Sequence, residues 1–370
     1  MKNLNSENSR IEFVKQEITR EILEQEDGVL SFDRFMEIAL YLPKYGYYEK
    51  KGDIFGKNGD FVTASELGNL FGATLTNELI NVLNQIGGGF YDFGAGTGRL
   101  SKTILERLSK YKLDFEPKFY LIERSENLVK VQKNQLRSFS NITWHNCIDT
   151  VELNGFLIAN ELFDAMPAKC FVKTDGQVSE YGVGIKGDEF SWMLKKSPVP
   201  VYLEKRLEQK NDGFRTEYIS AAYSWLDTIY RQSHQIVLLI LDYGSLRDEF
   251  YHDNKSDGTI KCHYKHHLTY DPLIDPGLKD ITVSIDFSLL ADQATDIGFD
   301  VLGFSSLEKL LANLGIMSIF EQETKELSKA NFKISHEAKQ LLMPNEMGYS
   351  IKAMALAKNF KGTLLGFKER

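Results

Sequence analysis

Cysteine is scarce in this 370-residue sequence: Cys147, Cys170 and Cys262 are odd in number and far apart. That excludes a disulfide framework and points to a reducing compartment. Long apolar runs are missing too. The longest, Ile236–Leu241, is strand-sized, well below the roughly 20 residues a membrane span needs. Positive charge is in deficit, with 44 Lys and Arg against 52 Asp and Glu and a net charge of -8, so no nucleic-acid partner is expected. The N-terminal stretch MKNLNSENSRIEFVKQEITREILEQE mixes acids with bases and reads as neither a secretory signal nor an Arg-rich transit peptide. The expectation is a bacterial cytoplasm, or the mitochondrial matrix if the source is eukaryotic.

Hydrophobic residues make up 42% of the chain, which at this length builds a core without metal or disulfide staples. Residues 1–85 read as a helical N-terminal extension. Ile11, Val14, Ile18 and Ile22 repeat at helical spacing, and Ser31 is placed to cap a second helix through Phe32, Phe35, Met36 and Leu40, closed by Pro43. An aromatic, glycine-rich loop from Tyr45 to Glu66 follows, then a helix through Leu67, Phe71, Leu75, Leu79 and Leu83. Residues 86–370 alternate strand and helix. Strands are expected at Gly89–Phe93, Lys118–Glu123, Ile142–His145, Gly155–Asn160, Ile236–Gly244 and Ile351–Ala357; helices at Arg99–Tyr111, Phe287–Ile297 and Leu307–Leu314. Continuous apolar strands suit a parallel sheet covered on both faces, so the fold class is α/β, a doubly wound, mostly parallel, Rossmann-like sheet. Two insertions interrupt it, at about 170–235 and 245–285. The first opens with a hairpin or meander marked by Asp175-Gly176 and Lys186-Gly187-Asp188, followed by a helix around Thr216–Tyr230. The insertions are candidates for a homodimer interface.

The informative segment is Tyr91-Asp92-Phe93-Gly94-Ala95-Gly96-Thr97-Gly98-Arg99, joining an apolar strand to an amphipathic helix. Glycines let the backbone turn sharply and approach a ligand, and the helix offers free N–H groups at its start. A dinucleotide fingerprint would need a third glycine at 99, where Arg99 stands, and no P-loop Gly-Lys-Ser/Thr follows. The spacing acid-x-G-x-G-x-G instead suits S-adenosyl-L-methionine, with Asp92 accepting from its amino group. Glu123, ending the next strand, offers two acceptor oxygens to a ribose diol. Adenine is then expected near Cys147–Asp149, with Ile148 against it. The bland alternative is a tight turn and nothing more, with Glu123 paired to Arg124 or Lys118.

A second acidic motif, Asn160-Glu161-Leu162-Phe163-Asp164-Ala165-Met166-Pro167, follows the fourth strand, where ligands of open α/β sheets bind. Glu161 and Asp164 would share a face if the segment turned helically, and two carboxylates suit a guanidinium. Alternatively Asp164 caps a helix and Glu161 makes a surface ion pair.

These pieces resemble the MidA-like methyltransferases. The resemblance is carried by Gly46-Tyr47-Tyr48, Gly59-Asp60-Phe61-Val62-Thr63-Ala64-Ser65-Glu66, Phe71-Gly72, the glycine turn and Asn160–Pro167. Asp242-Tyr243-Gly244, Asp275-Pro276-Gly277, Asp280-Ile281-Thr282 and Met347-Gly348 also carry it. It implies a class I methyltransferase domain over 86–370 behind a helical lid. It implies cofactor contacts from Gly94, Gly96, Gly98 and Glu123, and a cofactor–substrate site lined by Thr63, Glu66, Asn160, Glu161 and Asp164. Protein arginine N-methylation is the implied activity. A small-molecule methyltransferase and an assembly factor retaining the cleft are the alternatives. Cys262, His263, His266 and His267 do not make two converging pairs, so no metal is expected.

Overall fold

Apolar strands that alternate with helices in the sequence assemble into one sheet in the computed structural model, which describes residues 7–50, 63–111, 114–148, 151–325, 329–344 and 346–368. The sheet's main path comprises β1 (Gly89–Phe93), β2 (Phe119–Ile122), β3 (Ile142–His145), β4 (Leu153–Asn160), β5 (Ser233–Ser245), β6 (Asp300–Ser306) and β7 (Ile351–Lys358). They run in the order β3-β2-β1-β4-β5-β7-β6. β3, β2, β1, β4 and β5 pair in parallel, and β7 is antiparallel to both neighbours. A parallel strand needs cover on both faces. Every residue of β1 is buried accordingly.

Chain order reverses beside β1, which leads outward to β2 and β3 before the chain returns to β4 on the other side. Such a switch point opens a crevice at the strands' carboxyl ends. Phe93 lies opposite Ala159 there, so Gly94 and Asn160 follow at adjoining strand ends.

Two compact units make up the chain. One comprises Val62–Leu162, Tyr223–Gly244 and Phe287–Arg370 and carries the sheet. It includes helices that, with two N-terminal ones in the other unit, are numbered along the chain as α1 (Glu7–Leu23), α2 (Phe32–Tyr41), α3 (Ala64–Leu67), α4 (Leu70–Ile86), α5 (Arg99–Leu108) and α6 (Glu126–Gln135). Phe71, Leu75, Leu79 and Leu83 of α4 join Leu100, Ile104 and Leu108 of α5 in a core with Phe90, Phe119 and Phe156. Leu67, expected on the same helix as Phe71, sits on the separate short α3. Gly68 between them is extended, so the two helices cannot be continuous.

The other unit comprises Met1–Phe61, Phe163–Ala222 and Ser245–Asp286. Val14, Ile18 and Ile22 form the buried stripe of α1. Ser31 holds the N-cap position of α2, but its hydroxyl makes no capping bond; its carbonyl accepts from Phe35. Strands Glu189–Lys195, Gln177–Lys186, Lys169–Thr174 and Arg215–Tyr218 form an antiparallel sheet in that order. The helix expected from Thr216 is thereby corrected: Arg215–Tyr218 is a strand, and the helix starts at Ala222. Thr216 pairs with Phe171 of a strand far earlier in the chain, and a long-range ladder overrides local propensity. Cys262 is buried on a three-stranded sheet of Lys261–Tyr264, His267–Thr269 and Asp280–Thr282.

Candidate active site

The turn after β1 is built on left-handed backbone. Gly94, Gly96 and Gly98 have φ of +65°, +55° and +81°, a region glycine enters at little cost. A Cβ on Gly94 would stand 2.8 Å from Leu162 Cδ1, and one on Gly98 3.2 Å from Gln132 Cγ. The turn closes with Gly98 N–H on the Ala95 carbonyl at 2.8 Å, and Gly98 O accepts from Lys102 at 2.9 Å to start α5.

Beneath it lies Asp92, 2% exposed, whose Oδ2 accepts from Ser101 Oγ of α5 at 2.6 Å. Burial pushes its carboxyl up to about 7, the Ser101 bond opposing. Glu123 ends the neighbouring strand, 7% exposed. Its Oε1 accepts from Ser125 N–H at 3.0 Å and its Oε2 from Gln132 Nε2 at 3.3 Å. Desolvation pushes it up to about 7; the N–H groups of Ser125 and Gly96 and the Gln132 amide oppose this, and the charge of Asp92 adds to it.

Gln132 was not singled out from the sequence. Fully buried on α6, it donates to Gly96 O at 2.9 Å as well as to Glu123, and its Oε1 accepts from Trp144 Nε1 at 3.1 Å. Its one sequence signal is a polar residue one turn from Leu128 and Leu136, on the buried face of α6. Ile148 is buried beyond the end of β3, with Cys147 exposed beside it. Asp149, and residues 59–62 of the Gly59–Glu66 motif with Phe55, lie outside the described residues.

Thr63 and Glu66 come to the turn from α3. Thr97 Oγ1 donates to the Glu66 carboxylate, whose other oxygen lies 4.0 Å from the Arg99 guanidinium. Thr63 is buried and its hydroxyl meets Ser65 Oγ at 2.8 Å. From β4, Asn160 Oδ1 is buried with no hydrogen-bond partner among the described residues. Glu161 has φ of +49°, its N–H on Leu241 O at 2.8 Å and its Oε1 accepting from Ala64 N–H at 3.1 Å. The helical turn that would align Glu161 with Asp164 does not form: 161–166 are bends and turns, because Glu161 in the left-handed region breaks the helix at its first residue. Asp242, fully buried, takes the Leu162 N–H at 3.0 Å and its neighbour Tyr243 N–H at 2.8 Å. Its one signal in the sequence is the Asp242-Tyr243-Gly244 motif. Asp164 belongs to the other unit, 6% exposed, with its carbonyl accepting from Val283 N–H at 2.9 Å.

This set of acceptors suits one ligand chemistry. Two buried carboxyls under a glycine turn would repel a pyrophosphate, whereas an amino group, a diol and a sulfonium cation complement them.

Comparison with known proteins gives the same answer. Residues 74–305 match the family model described as S-adenosyl-L-methionine-dependent methyltransferase. A mitochondrial NDUFAF7 homolog of Drosophila melanogaster, named a protein arginine methyltransferase, is 26% identical over 310 residues, covering 71% of this chain and 66% of that protein. The Caenorhabditis elegans homolog of the same name is 27% identical over 364 residues, covering 89% of this chain and 83% of its own. A crystal structure of a Burkholderia thailandensis relative bound to S-adenosyl-homocysteine aligns with a TM-score of 0.90 and 27% identity, covering 98% of this chain and 96% of that one.

Proposed function

Since this chain belongs to the MidA-like family of S-adenosyl-L-methionine-dependent methyltransferases, we propose that it methylates arginine side chains of a partner protein. The names of the relatives support the arginine substrate. The observation that carries the reading is the Glu161 carboxylate, aimed by the Ala64 N–H at the end of β4, where the crevice beside β1 opens.

S-adenosyl-L-methionine supplies an already activated sulfonium methyl. The chain's own residues then bind and orient. The backbone of Gly94, Ala95, Gly96 and Gly98 would let the cofactor's methionine part approach, and Asp92 would accept from its amino group. Glu123 would receive the ribose hydroxyls and Ile148 would pack on adenine. Glu66 braces the turn through Thr97, while Thr63 meets Ser65 at the start of α3. Glu161 accepts from the acceptor guanidinium and stabilises its cationic character, and the unsatisfied Asn160 Oδ1 accepts a further N–H. Little covalent help would be needed: holding the acceptor nitrogen close to the methyl would do most of the work, and the proton lost from that nitrogen would pass to the Glu161 carboxylate that accepts from it.

Incubating the enzyme with methyl-labelled cofactor and a cell lysate, then hydrolysing the protein fraction, should yield labelled methylarginine. Label confined to small molecules would replace this reading with a metabolite enzyme, and no label at all with a binding protein.

A further inference from the structure

We propose that Gln132 is a positioning residue of the cofactor site: its side-chain amide, oriented by the Trp144 indole, holds the Glu123 carboxylate and the glycine turn in one fixed relation. This rests on the reading of Glu123 as the carboxylate that receives the cofactor's ribose hydroxyls.

The geometry carries the proposal. Indole Nε1 is a donor and nothing else, so the Gln132 atom facing it must be the amide oxygen. The two N–H groups are then forced toward Gly96 O at 2.9 Å and Glu123 Oε2 at 3.3 Å. A flipped amide would set three acceptors against one another. Gln132 thereby ties four elements: α6 itself, the turn after β1, the end of β2, and β3 through Trp144. Full burial and the 3.2 Å approach of its Cγ to where a Gly98 Cβ would stand leave the side chain little room to move. A glutamine suits the position better than an acid or a leucine. An acid would add a third buried charge beside Asp92 and Glu123, and a leucine would strand the Gly96 carbonyl and one Glu123 oxygen.

The groups facing Glu123 are few and named. Asp92 of β1 is the titratable group whose charge acts on it; the N–H groups of Ser125 and Gly96 and the Gln132 amide face it as neutral donors. From β3 the His145 carbonyl accepts the Glu123 N–H at 2.9 Å. A donor to the ionised carboxylate favours ionisation, so removing it makes Glu123 harder to ionise.

The test is the pH dependence of S-adenosyl-homocysteine binding by the full chain between pH 5.5 and 8.5. An Asp92→Asn background removes the other buried carboxyl of the site. In that background the affinity should fall as pH drops below the Glu123 midpoint. Gln132→Leu should move that midpoint up by about half a unit to one unit, the size of one hydrogen bond. Trp144→Phe, which frees the amide to turn, should move it in the same direction by less. The two changes together should shift it no further than Gln132→Leu alone. A glutamine that merely packed would lower the melting temperature and leave the midpoint in place, and that result overturns the proposal. Should Gln132→Leu fail to fold, Trp144→Phe carries the same test. Glu123→Gln should flatten the profile. A profile that persists there overturns the reading of Glu123 and this proposal with it, whereas a flat profile with unmoved Gln132 and Trp144 variants overturns the positioning role alone.

Discussion

The Ala64 N–H donates to Glu161 Oε1 across 3.1 Å, joining the start of α3 to the end of β4. These residues belong to the two most specific motifs of the chain, which lie almost 100 positions apart in sequence. The bond uses one of the N–H groups that a helix leaves open at its start, so this carboxylate anchors α3 to the end of β4.

Charge and anchoring at Glu161 can be separated by substitution. Glu161→Gln keeps an acceptor for Ala64 but removes the charge; Glu161→Ala removes both. Both should lower methyl transfer by about two orders of magnitude, the scale of losing one preorganised electrostatic contact. S-adenosyl-homocysteine affinity should stay within roughly threefold for Glu161→Gln, since the turn's own hydrogen bonds remain. Transfer rates near wild type in Glu161→Gln would remove the carboxylate from the reaction.

Asp92 and Glu123 set a pH dependence with opposite signs for stability and for binding. Both carboxyls are pushed up to about 7 in the folded chain from 3.8 and 4.5. Between about pH 4 and 7 the folded state therefore holds more protons than the unfolded one, and these two groups stabilise the cofactor-free protein less as pH rises through that window. With Asp92 and Glu123 in the proposed roles, cofactor binding needs their ionised forms. The rise in melting temperature produced by S-adenosyl-homocysteine should thus be larger at pH 8 than at pH 6. A larger rise at pH 6 would contradict the assignment.

Gly94→Ala should lose most cofactor affinity while leaving a folded protein. The φ of +65° is costly for alanine by roughly 1–2 kcal/mol, and the new methyl would stand 2.8 Å from Leu162 Cδ1. Circular dichroism with a calorimetric titration checks both halves.

Away from the crevice, Glu337 caps α4. Its Oε1 accepts the Phe71 N–H at 3.0 Å, with further backbone bonds from Leu70 and Asn69, at 2% exposure. Glu337→Ala should destabilise the chain by about 1–3 kcal/mol, since buried N–H groups lose their partner. Chemical denaturation measures it.

Much of the sheet was legible because parallel strands are continuous apolar runs whose limits are local. Gly89–Phe93, Ile142–His145 and the helix Phe287–Ile297 fall where hydrophobic spacing puts them. Arg215–Tyr218 was not legible, since its strand character comes from pairing with Lys169–Thr174. Glycine and acid spacing marked Gly94, Gly96, Gly98, Asp92 and Glu123, because turns and strand ends are short-range features. Gln132 escaped that reasoning: a glutamine on a mostly polar helix reads as solvated until the Gly96 carbonyl and Trp144 are brought to it. The left-handed backbone at Glu161 escaped likewise, since a glutamate carries no local signal for it.

If Glu123 clasps the ribose of a cofactor seated on the glycine turn, removing its carboxylate must weaken binding. Isothermal titration at pH 8 of wild type and Glu123→Ala with S-adenosyl-homocysteine, and of wild type with NAD, tests it most directly. One site per chain, affinity at least about tenfold weaker in Glu123→Ala, and no heat from NAD is the predicted result. Equal affinity in the two proteins, or tight NAD binding, would contradict it.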